Sequence, residues 1–132
     1  MNECTRNCQL CPNLIISTAV TVITIDGVDT LVIDIPAATY TNGRKICLVI
    51  AQAIPTTATI GMPVAISIGG DTTTVYPIVG CNCVQATACA IRSRRKYPLR
   101  VAKNATSAVF ASLGGLSCSA VNVLPAIPVA TA

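Results

Sequence analysis

The sequence contains no histidine and no tryptophan. Without histidine the chain lacks the commonest general base and the commonest metal ligand, and every Ser-His or Cys-His pairing is excluded. Aromatic residues make up only 3%, and the four of them are Tyr40, Tyr76, Tyr97 and Phe110. Charge is scarce as well, at 11% of residues against about 25% in an ordinary soluble domain. The carboxylates are Glu3, Asp26, Asp29, Asp34 and Asp71. Asp26 and Asp71 fall in expected turns. Asp29 and Asp34 belong on opposite faces of one strand, because an odd offset points side chains apart. No acid–base pair can be assembled from that set. Phosphate-binding loops are missing too, since Gly69-Gly70 and Gly114-Gly115 lack the further glycine or the Lys-Ser/Thr such loops use. The longest apolar run, Ile46 to Ile54, already contains Gln52, and nothing approaches the roughly 18 apolar residues of a membrane span. The first residues carry no apolar signal-peptide core. These absences predict a non-enzymatic protein, made in the cytoplasm and without a membrane.

What is present is β-forming. The chain has 132 residues, the length of one domain. Hydrophobic residues reach 52%, mostly Val, Ile, Ala and Leu beside many Thr, and the β-branched types suit a pleated surface. Val20–Ile25 and Val28–Ile35 flank Asp26-Gly27, the strongest short-range hairpin signal. Registering that hairpin opposes Ile25 to Val28, Val22 to Leu31 and Val20 to Ile33. One face then collects Val20, Val22, Leu31, Ile33 and Ile35. The other collects Thr21, Ile23, Ile25, Val28, Thr30 and Val32. Both faces are apolar enough to be covered, one by a second sheet and the other by a neighbouring subunit. Further strands are expected over Ile46–Ile54, Val64–Ile68 and Thr72–Val79, the last at an edge or bulged because of Pro77. Weaker strand signals lie at Ala88–Ser93 and Tyr97–Val101, and 104–113 reads as a short helix or a strand. Turns every 8 to 12 residues predict an all-β fold, an antiparallel β-sandwich or small barrel. Residues 13–120 form its core, with extended arms over 1–12 and 121–132.

Two constellations could carry chemistry. Of the eight cysteines, Cys4, Cys8 and Cys11 are spaced C-x3-C-x2-C, and Cys81, Cys83 and Cys89 are spaced C-x-C-x5-C. The first spacing is that of radical S-adenosylmethionine enzymes, which need a much longer α/β barrel than this chain supplies. No cofactor is expected unless thiolates of the arm complete a tetrahedral Cys4 zinc shell. Disulfides within or between subunits, and free thiols, are the other readings of these six residues. Cys47, inside an expected buried strand, reads as a small core hydrophobe. The second constellation is a basic run of Arg92, Arg94, Arg95, Lys96, Arg100 and Lys103. The full chain carries a net charge of +4, and that run accounts for all of the excess. Phosphate contact is one reading. Only Tyr97 is interleaved as a stacking group, so a solvated loop or a patch facing an acidic partner surface is the expectation.

Three stretches together carry a resemblance. They are Asn2-Glu-Cys-Thr-Arg-Asn-Cys-Gln-Leu-Cys-Pro-Asn-Leu-Ile-Ile16, Tyr40-Thr-Asn-Gly-Arg-Lys-Ile-Cys-Leu-Val-Ile-Ala-Gln-Ala-Ile-Pro55 and Tyr76-Pro-Ile-Val-Gly-Cys-Asn-Cys83. They resemble small cysteine-bearing proteins encoded beside capsid genes in tailed bacteriophages and prophages of gut bacteria. The resemblance implies a virion component, an auxiliary or decoration protein on the capsid, whose partners are copies of itself and a major capsid protein. A metal-binding module and a bacterial surface filament subunit are the competing readings.

Overall fold

A computed structural model describes residues 13–80, 84–105 and 107–113. The fold is all-β. Its strands are β1 (Leu14–Ile16), β2 (Ala19–Ile25), β3 (Val28–Ile35), β4 (Lys45–Val49), β5 (Val64–Ile68), β6 (Asp71–Val79), β7 (Lys96–Lys103) and β8 (Ala108–Ser112). They form one curled eight-stranded sheet in the order β1-β4-β7-β8-β6-β5-β3-β2. The pairing is mixed: β1·β4, β3·β5 and β6·β8 run parallel and the remaining neighbours antiparallel. The expected antiparallel sheet is thus corrected to a mixed one: parallel neighbours need crossover connections, and long connections such as that between β3 and β4 carry the chain past its sequence neighbour.

The β2–β3 hairpin has the register read from its turn, with Ile25 opposite Val28, Val22 opposite Leu31 and Val20 opposite Ile33. Asp26 and Gly27 both have positive φ, 50° and 80°. That is the type I′ turn whose twist matches the strands. Leu31, Ile33 and Ile35 point into a core shared with Leu48, Ile66, Leu99, Val101 and Phe110. Val32 and Ala65, register partners that alternate with the core-facing Ile33 and Ile66, are buried on the outer face.

The curl closes at one corner. Strands β1 and β2 stand at opposite ends of the sheet order, yet only Ser17 and Thr18 separate them. The Ser17 amide donates to the Val49 carbonyl of β4, and the Thr18 amide to the Asp34 carbonyl of β3. Consecutive residues thus tie together the two ends of the sheet. Ser17 is buried, so its polar atoms need partners. Its hydroxyl accepts from the Ala51 amide at 2.9 Å and donates to Gln52 Oε1, while Gln52 Nε2 donates to the Ser17 carbonyl at 2.9 Å. The other junction is β6, which pairs with β5 up to Pro77 and with β8 from Ile78.

Several expectations are corrected. Strand β6 is interior rather than at an edge, and Pro77 marks the change of partner; a register shift does interrupt the β5·β6 pairing, between Ile66 and Ile68. Strand β4 ends at Val49, because Gln52 leaves the ladder to satisfy Ser17. Residues Ala88–Ala90 form a 3-10 turn rather than a strand. Residues Ala108–Ser112 are a strand and not a helix. Phe110 alternates into the core there, edge-on to Tyr40 and Tyr76, with ring centroids 6.1 and 6.3 Å away. The expected arms over 1–12 and 121–132 lie outside the described residues.

Candidate interaction surface

The start of the basic run is anchored to the segment after β4. Arg92, Arg94 and Arg95 precede β7, and Lys96, Arg100 and Lys103 lie on it. The Arg94 amide donates to the Ile50 carbonyl at 2.6 Å, and the Ile50 amide to the Arg95 carbonyl at 3.3 Å. The Ser93 hydroxyl donates to the Gln52 carbonyl at 2.9 Å. Arg94 itself is left-handed, with φ 66°. These bonds anchor the backbone of the loop, while Arg92, Arg94, Arg95 and Lys96 remain exposed on it. Tyr97 is buried in the core and is no stacking platform. Its hydroxyl accepts from the Arg92 amide at 2.7 Å, and burial pushes its pKa above the ordinary value.

Along β7, Tyr97, Leu99 and Val101 face the core. Lys96, Pro98 and Arg100 therefore face outward. The β4·β7 register sets Lys45 directly opposite Arg100, Cys47 opposite Pro98 and Val49 opposite Lys96. Lys45 and Arg100 are both exposed. Like charges directly opposite one another on a sheet are destabilising, so this pair is a cost the fold carries. Sequence reasoning missed it, because Lys45 is 55 positions from Arg100 and only the register joins them. Beside these cations stand exposed apolar groups, Leu14 and Ile16 on β1 and Leu113 after β8.

Every described Lys and Arg lies on β4, β7 or the loops leading into them. Every described carboxylate lies on β3, at the start of β6 or in the β2–β3 turn. The two signs thus occupy different halves of the sheet. Among the carboxylates, Asp34 is the most embedded. Burial by itself would raise its pKa. Hydrogen bonds from the Thr18 hydroxyl, the Ser67 hydroxyl and the Gly70 amide outweigh that and hold it below the ordinary value. Asp71 is also held low, by the hydroxyl and amide of Thr73.

Cys47 is fully buried and disulfide-bonded, and Cys89 is disulfide-bonded as well. The reading of Cys47 as a simple core hydrophobe is therefore corrected: although buried, it points away from the core, on the outer side of β4. Cys4, Cys8, Cys11, Cys81 and Cys83 lie outside the described residues. Among the described residues no group of three or more His, Cys, Asp or Glu side chains could hold a metal ion. No described helix is long and apolar enough to cross a membrane. A cleft of about 240 Å3 at one end of the sheet is lined by Tyr40, Tyr76, Phe110 and Lys103 among others. It is smaller than usual ligand pockets, which span roughly 300–1,000 Å3, and Tyr40 already spends its hydroxyl on the Pro36 carbonyl.

One further feature is the outer edge of β2, which no described strand covers. Ile25 and Val28 close a two-residue turn and so form a hydrogen-bonded pair. Alternation then directs the backbone groups of Val20, Val22 and Thr24 away from β3. No described strand pairs with that side. The strand has seven residues, AVTVITI, with no charge and no proline, and its ladder to β3 is uninterrupted. Natural edges are usually blunted by charge, proline or a bulge.

No protein-family model, curated protein or solved structure matches this chain.

Proposed function

We propose that the protein is a non-catalytic structural subunit that packs against other protein, and that its lattice is the capsid of a tailed bacteriophage. The observation that carries the reading is the unblunted edge of β2. A row of amides and carbonyls that no described strand pairs is a template for strand addition, in which main-chain hydrogen bonds supply affinity and alternate side chains supply specificity. Exposed Val28, at 51%, adds apolar area beside that edge. The capsid as partner rests on the resemblance of the three cysteine-bearing stretches.

The reading is tested by light scattering at rising protein concentration and by co-sedimentation with tailed-phage capsids. Thr24→Pro removes an outward amide and keeps the backbone pairing with β3, at a position where an edge strand tolerates proline. It also removes the Thr24 hydroxyl's bond to Asp29, and Thr24→Ala, which removes that bond alone, is the control. Association is expected for the parent chain and its loss for the variant. A strictly monomeric protein that does not bind capsids overturns the proposal.

A further inference from the structure

We infer that copies of this chain associate head to tail, the carboxylate-bearing half of the sheet in one copy meeting the cationic outer face of β4 and β7 in the next. The inference rests on the reading of the protein as an assembling subunit and names the surface it uses. Three observations carry it. Lys45 and Arg100 oppose each other directly across β4 and β7, with Lys96 further along the same face. That repulsion is unrelieved by any described carboxylate of the same half, and an incoming anionic surface relieves it. The cations are also mounted for contact, because the Ile50, Arg94 and Arg95 backbone bonds fix the loop from which Arg94 and Arg95 project. The complementary surface is present on the same molecule. At the β2–β3 turn, Asp26, Val28 and Asp29 are all exposed; Val28 and Asp29 alternate to opposite faces of β3, and Asp29 also accepts from the Thr24 hydroxyl at 2.6 Å. An acidic tip that also exposes Val28 complements a cationic face with Leu14 and Ile16 at its side.

A duplex nucleic acid would also meet the cations. It would leave the acidic tip without a role, and no exposed aromatic ring accompanies the basic residues. Because the two surfaces differ, the contact is heterologous, and repeated copies build rings or open filaments rather than closing as a two-fold dimer.

The test is a charge swap in the full chain. One variant carries Lys45→Glu with Arg100→Glu, the other Asp26→Lys with Asp29→Lys. Sedimentation velocity of the parent is expected to show self-association that weakens at least tenfold between about 20 mM and about 500 mM salt, as screening shortens the Debye length. Each variant alone is expected to associate at least about tenfold more weakly than the parent. An equimolar mixture of the two is expected to recover association, since the reversed faces match. Three results overturn the inference: variants that associate like the parent, a mixture that recovers nothing, or an effect confined to the cationic variant together with salt-sensitive duplex binding by the parent. Association that ignores the swaps yet is lost with Thr24→Pro would sink the head-to-tail contact and leave the assembling-subunit reading standing. A parent chain that is monomeric at both salts and binds no capsid removes both.

Discussion

The two halves of the curled sheet share one core and present opposite exteriors. Strands β4 and β7 contribute Leu48, Leu99 and Val101 to that core, while β3 and β5 contribute Leu31, Ile33 and Ile66. Inside, the halves are chemically interchangeable. Outside, the charges on β4 and β7 are all positive, and β3 carries a carboxylate satisfied by three local donors. The acidic half resolves its charge internally, through Thr18, Ser67 and Gly70. In the basic half no described carboxylate offsets the repulsion. Interior packing thus sets the fold, and the exterior difference is the feature the proposed head-to-tail contact uses.

The comparison breaks most readily at the core. If the halves share it equally, Leu48→Ala and Ile33→Ala should each destabilise by about 2–5 kcal/mol, the range for buried large-to-small changes. Urea unfolding of both variants checks this. A cost confined to one half would mean that the two do not unfold together.

The corner that joins the halves comes next. Ser17→Ala leaves the Ala51 amide without its acceptor and should cost about 1–3 kcal/mol, the price of an unsatisfied buried group. Gln52→Ala removes the groups that bond the Ser17 hydroxyl and carbonyl, and thermal unfolding should place it near Ser17→Ala. If both are neutral, the corner does not hold the curl.

At the hairpin of the acidic half, Gly27 has φ 80° with open space where a Cβ would stand. Gly27→Ala therefore meets only backbone strain and should cost about 1 kcal/mol, read as a lowered urea midpoint.

Acid should act on the half that holds the carboxylates. The folded pKa of Asp34 is lowered, so its stabilisation is complete above the unfolded value and is lost as pH falls through the folded one. Urea midpoints at pH 7 and near pH 3 should show that loss, and Asp34→Asn should reduce it. At pH 7 the variant should cost about 1 kcal/mol, the worth of a hydrogen bond or so to a charged group at a half-exposed site. The smallest effect belongs to the basic half. Arg100→Gln should stabilise the isolated protein by a few tenths of a kcal/mol, as a like-charge cross-strand pair is removed. Destabilisation there would show that Arg100 has a structural partner.

Much of the acidic half was legible in the sequence. Asp26-Gly27 between β-branched runs specified the turn type, and a two-residue turn with period-two alternation leaves one register. The burial of Leu31, Ile33 and Ile35 follows from it. The basic half was legible only as a run of residues. Its surface required Lys45 to be set against Arg100, and that pairing depends on loop paths no local pattern encodes. Strand β8 was ambiguous for a related reason. A short segment rich in Ala and Ser has weak local preference, and Phe110 settles into a strand because Tyr40 and Tyr76 are there to receive it.

The sequence by itself determined the class of the fold, the β2–β3 hairpin with its register, and the lack of histidine chemistry. Each of these follows from local backbone preference or from composition. Tertiary structure alone decided the mixed pairing, the corner at Ser17 and Thr18, and the separation of positive from negative charge between the two halves of the sheet. Each of those depends on which distant strands meet, and such meetings are chosen by the packing of the whole core rather than by any segment within it.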